Sequence, residues 1–202
     1  MLLESNSMSQ LKTRKAHVVK KRDVRIHAEL WHSANCLLRT GQADAKGSAH
    51  QFRASLVFRA FCLEAFLNWI GQQLVPHWSY LERLKPREKL DLLADLIGVI
   101  PDYSARPWQS VKETFAFRNY LAHGKPENIE TQSMEDLDDF LDGKLGEIAL
   151  TEWEQFSTEA NAVRAQEDVE QIANQLYEKA DIKHDGPLGA FAFGFQNHSA
   201  SL

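Results

Sequence analysis

Several common devices are absent from this chain. Only two cysteines occur, Cys36 and Cys62, far apart and in no C-x-x-C pair. Both lie in apolar runs, which points to two free core thiols in a reducing compartment rather than to a disulfide. Only six prolines occur, so long stretches carry no helix breaker. No segment alternates apolar and polar residues with period two, so no strand is expected. No repeat recurs at a fixed period. The longest apolar run, LVFRAFCLEAFLNWIGQQL, is interrupted by Arg59 and Glu64, so nothing is expected to span a membrane. The opening MLLESNSMSQ has neither an apolar core nor a cleavage site, so no signal peptide is expected and the chain reads as cytoplasmic.

Chemical signatures are missing as well. There is no glycine-rich phosphate loop, no dinucleotide fingerprint, no H-E-x-x-H and no G-x-S-x-G. No cofactor and no metal is expected. His27 and His32 are five residues apart on one expected helix, so they point to different faces and make a poor ligand pair.

The 202 residues suit one domain with arms. A hydrophobic share of 44% and a charged share of 25% are those of an ordinary globular protein. The net charge of −5 conceals an asymmetry. Residues 1–126 hold 19 Lys+Arg against 11 Asp+Glu, a net of +8, whereas residues 127–181 hold 3 against 16, a net of −13. The first part suits a polyanion and the second would repel one, but a solvated acidic helical face is the favoured reading.

Three segments follow. Residues 1–22 form a basic arm carrying Lys12, Arg14, Lys15, Lys20, Lys21 and Arg22. Residues 23–182 read as an all-α bundle, and residues 183–202 as a Gly/Phe-rich tail in which Phe191, Phe193 and Phe195 alternate with Ala and Gly. Both arms read as flexible, with docking of the apolar tail slightly favoured. The spacing predicts helices over 23–43 ending at Gly41, and over 48–75 with Ser48 as cap and Pro76 as stop. A third starts at Pro86 and closes at Gly98, and a fourth runs from Trp108 to Gly124. A short acidic helix is expected at 127–141, and a long one at 151–180 capped by Thr151. The second helix is apolar nearly all round, so it is expected to be the buried centre.

Few polar groups fall where chemistry is plausible. Asp91 and Asp95 share a helix face four residues apart, a spacing that suits acid–base work, but both flank an apolar stripe and read as solvated. Glu64 and Asn68 share a face of the buried helix, where a charge has to be paired. They read as an interhelical contact or as support for a nearby cation. The densest polar cluster is F-R-N-Y-L-A-H-G, residues 117–124. Gly124 fits the left-handed position that stops a helix. Asn119 and His123 share a face, while Arg118 and His123 diverge by about 140° on an ideal helix. The octet therefore reads either as a helix end with a satisfied arginine or as part of a site, in which Arg118 and His123 converge because the helix ends before His123 or Arg118 reaches around, or which a second copy completes.

Arg118, Asn119, the four-residue gap Asn119-Tyr120-Leu121-Ala122, and His123 resemble the motif of the HEPN superfamily. ASLVFRAFCLEAFLNWIGQQL is similar to the long central helix of such domains, and LERLKPREKLDLLADLIG to the helix before the motif. The resemblance covers roughly residues 25–180. It implies a HEPN-like helical bundle and, in many members, a metal-independent endoribonuclease that works as a homodimer with the motif at the interface. Other members are non-catalytic binding modules, and some are toxins restrained by a nucleotidyltransferase-like antitoxin. Under this resemblance Arg118, Asn119 and His123 are the catalytic set and RNA is the substrate. The chemistry suits those residues. Cleavage by the ribose 2′-hydroxyl needs a base, an acid and a cation. His123 is the octet's proton-exchanging side chain, and Arg118 is its fixed cation with a fork matched to phosphate. Asn119 is placed to hold either of them or the phosphate. The products would be a 2′,3′-cyclic phosphate and a 5′-hydroxyl.

Overall fold

The computed structural model describes residues 17–131, 141, 149–182, 190, 191 and 196–201. Its order is β1 (His17–Arg22), α1 (Ile26–Ala43), α2 (Ser48–Leu74), a 3-10 turn (Trp78–Tyr80), α3 (Pro86–Leu96), α4 (Gln109–Ala122), α5 (Glu152–Phe156), α6 (Glu159–Ala180) and β2 (Gln196–Ser201). The bundle is helical, as the periodicity predicts.

Helix α2 is the centre, and α1, α3, α4 and α6 pack around it. Leu56, Leu63, Phe66, Leu67 and Ile70 are fully buried on successive faces. Burying each such side chain contributes roughly 1.5–3 kcal/mol. By length and composition α2 is apolar enough to cross a membrane, but more than half of its most apolar stretch is buried inside the fold. Gly71 is needed for one contact: a Cβ there would overlap the Trp78 indole, which closes the end of the core.

Several local expectations need correction. Gly41 does not end α1; it lies inside the helix, where a Cβ would sit 2.7 Å from the Phe52 ring. Ser48 is not the cap of α2, because Gly47 holds that position with φ 77°. Gly124 is not in the left-handed region, whereas Gly98 after α3 is, with φ 71°. The helix expected at 151–180 is two helices. Thr151 caps α5 by accepting from the Glu154 N–H, and Thr158 caps α6 by accepting from the Asn161 N–H. A second cap seven residues after the first restarts the chain in a new direction. Cys36 is exposed, and only Cys62 is a core thiol. Residues 127–131 are irregular, and apart from Leu141 the rest of the acidic helix expected at 127–141 lies outside the described residues.

Each arm carries a strand where none is expected, whereas the docked tail agrees with the favoured reading. His17–Arg22 and Gln196–Ser201 pair as an antiparallel ribbon, with His17 opposite Ser201 and Arg22 opposite Gln196. Local pattern cannot announce a strand whose partner lies at the other end of the chain. The tail docks: Ala190 is buried, and the Phe191 ring stacks on Trp31 with centroids 4.1 Å apart and planes 4° apart. Phe193 and Phe195 lie outside the described residues, as do residues 1–16 of the basic arm.

Candidate functional site

Helix α4 carries the octet, and its faces part the motif residues. Val111, Thr114, Phe115 and Phe117 are buried and fix the helix on the bundle. Arg118 lies at the edge of that buried face and turns toward α2. Its terminal nitrogen donates to Glu64 Oε2 at 2.6 Å. The other Glu64 oxygen lies 3.5 Å from Lys89 Nζ on α3. One carboxylate thus joins three helices through two cations. Lys89 is almost fully buried, its side chain 1% exposed, and Arg118 keeps 18% of its side chain exposed. The Arg118 guanidinium also lies 5.5 Å from the Phe61 ring and 5.7 Å from the Phe115 ring. Its Nε is buried and has no hydrogen-bond partner among the described residues.

Glu64 therefore serves both readings of its position: it is an interhelical contact, and it supports the motif cation. Asn68, one turn further on, does not join the pair. Its Oδ1 is buried without a partner among the described residues.

Asn119 and His123 face the other way. Both are exposed. The His123 backbone N–H donates to the Asn119 carbonyl at 3.0 Å, and the chain leaves the helix there with φ −111° and ψ 17°. No hydrogen bond or ion pair from the His123 ring occurs among the described residues. Within one copy the structure brings Asn119 and His123 onto one face. The helix ends before His123, and no hydrogen bond joins Arg118 to the His123 ring among the described residues.

The remaining candidates resolve into structure. Asp91 accepts from Arg87 Nε at 3.1 Å and from the Tyr103 hydroxyl at 2.5 Å, and Asp95 is exposed, so they do not act as a pair. Burial and the Asp91 carboxylate raise the Tyr103 hydroxyl above its usual pKa. His27 is buried beneath Phe66, Trp69 and Phe191, and desolvation pushes its pKa down to about 4. Cys62 Sγ donates to the His27 carbonyl at 3.2 Å, and burial pushes that thiol up to about 12. No cluster of three metal-ligating side chains occurs among the described residues.

Sequence reasoning missed Lys89 and the role of Arg59. Lys89 adjoins Leu90 on the apolar stripe of α3, and a cation in that position called for a buried acid. Arg59 was visible only as an interruption of the apolar run. It is fully buried, 3.9 Å over the Trp31 ring, and bonded to Asn35, and desolvation pushes it down to about 10.

No family model, no curated protein and no solved structure matches this chain.

Proposed function

We propose that this chain is a metal-independent endoribonuclease of HEPN type, acting as a cytoplasmic homodimer. One observation carries the reading: Asn119 and His123 stand exposed at the end of α4, while Arg118, one residue before Asn119, is held by Glu64, which also pairs with Lys89. His123 is the proton-transfer group, working as base in one copy and as acid in the other. Arg118 supplies fixed positive charge through its exposed edge, and Asn119 orients the phosphate. A fixed guanidinium needs little reorganisation as charge develops on phosphorus. A second copy, placed with its own α4 across this face, supplies the second histidine that a single-step acid–base cleavage requires.

The test is cleavage of a single-stranded RNA in EDTA, with analysis of the new ends and of the protein's mass in solution. A 2′,3′-cyclic phosphate, a 5′-hydroxyl and a dimer mass support the reading. A metal requirement, or full activity in a strict monomer, overturns it.

A second reading has its own observation. Arg118 is tied into an ion pair across helices, as in a structural bracket, which suits a non-catalytic helical interaction module. That reading predicts stability loss and no nuclease activity when the motif is altered. In a toxin version of the first reading, the restraining partner is a nucleotidyltransferase-like protein, and adding it would suppress the cleavage.

A further inference from the structure

Beside the motif runs a groove between the start of α3 and the outer flank of α4, with a volume of about 290 Å³. Lys85 and Arg87 stand on one side and Lys112 on the other; Phe115 and Ala116 line it, and Asn119 closes the end toward His123. On α4 the residues Lys112, Ala116 and Asn119 fall within about 60° of one another, and His123 follows directly after the helix end.

Of the three cations of this groove, Arg87 is paired with Asp91, while Lys85 and Lys112 are not ion-paired among the described residues. Glu88 is turned back to accept the Lys85 backbone N–H at 2.9 Å. Asp91 is occupied by Arg87 and Tyr103. Arg87 is held by that carboxylate and by stacking on the Tyr103 ring, so its guanidinium is a fixed cation. Lys85 and Lys112 are exposed and make no side-chain ion pair among the described residues. The opposite flank of α4 differs. There a pocket of about 250 Å³ is bordered by Glu113 and Glu152 around Phe117, Tyr120, Trp153 and Phe156, and it offers an anion nothing.

We infer that the α3–α4 groove binds a segment of single-stranded RNA flanking the cleaved bond, with Lys85, Arg87 and Lys112 on its phosphates and the exposed Ala116 surface beneath the strand. The inference rests on the RNA-directed reading above and adds the path of the strand. A basic groove that tracks the backbone is one way single strands are held without sequence readout. The strand enters along Lys112 and delivers a phosphodiester to Asn119 and His123.

The experiment titrates a fluorescein-labelled oligouridylate with full-length His123→Ala protein in EDTA, so that cleavage cannot intervene. Lys85→Glu/Lys112→Glu is expected to weaken binding by about ten-fold or more. It should also flatten the slope of log K against log salt by ~1.4, the share of two phosphate contacts on a single strand. A charge-matched control, Lys46→Glu/Lys179→Glu, reverses two exposed lysines elsewhere and should stay within roughly two-fold, since separated surface charges are screened. Lys112→Gln, a mild change on an exposed helix face, provides a second variant if the double reversal disturbs folding by circular dichroism; it should weaken binding and lower the slope by ~0.7. No binding by the parent protein, equal weakening by the control pair, or equal affinity for a duplex DNA would each overturn the assignment. Failure of the nuclease reading is seen separately, as absence of cleavage by the wild-type protein; a strand bound at the groove but never cut leaves the groove standing.

Discussion

The inner and outer faces of α4 use neighbouring residues for opposite ends. On the inner face Arg118 reaches a carboxylate that also serves a buried lysine, and three helices are joined through it. On the outer side Asn119 and His123 are exposed to solvent. Neighbouring residues of a short motif can thus stand in different environments. Part of the motif is used by the fold, and the fold thereby fixes where the remainder points. The same contrast separates two histidines. His27 is sealed under aromatic rings and held neutral by burial, whereas His123 stands exposed at a helix end.

If the inner face is structural, the largest effect comes from Glu64. Glu64→Gln leaves Lys89 and Arg118 without their shared anion. A loss of about 3 kcal/mol is expected, read from denaturant or thermal unfolding, because a buried charge stripped of its partner is costly. An unchanged midpoint would break the contrast between the faces. His27 gives the next effect, and its sign is set by its lowered pKa. The unfolded chain takes up a proton near the ordinary value of 6.5, and the folded chain only near about 4. Stability is therefore full above that upper value and falls as the pH drops through the window, by up to about 1.4 kcal/mol per unit. Unfolding curves at several pH values should show this slope, and His27→Leu should flatten it. Arg118→Ala should cost less than Glu64→Gln, about 1–2 kcal/mol, because Glu64 keeps Lys89 and some solvent. Smallest of all is Gly124→Ala. A Cβ there would meet the Leu121 and Tyr120 carbonyls at 3.5 and 3.7 Å, ordinary contact distances, and the backbone is not left-handed. Its midpoint should move by less than about 0.5 kcal/mol.

Much of the bundle was legible in the sequence for a simple reason. Helix periodicity is local, and α2 announces its burial by being apolar on every side. Pro86 and Gly98 bracket α3 because each has a conformational role that only nearby residues decide. The failures are equally physical. Gly41 and Gly71 are small because Phe52 and Trp78 need the space, which the sequence around them does not reveal. The ribbon between His17–Arg22 and Gln196–Ser201 depends on a partner at the far end of the chain. Of the site, helix geometry places Arg118 and Asn119 on different sides of α4, and His123 follows the helix end. The carboxylate at Glu64 was visible as a charge needing a partner. That its partners would be Arg118 and Lys89 was not visible, because long-range ion pairs leave no local spacing.

The most direct test joins activity and stability in one variant. His123→Ala is assayed for RNA cleavage in EDTA beside its unfolding midpoint. The account predicts a fall in cleavage of about a hundred-fold or more, the usual scale of a lost proton-transfer group, with the midpoint unchanged. A lowered midpoint with no difference in cleavage from the wild type would contradict it and assign His123 to the fold.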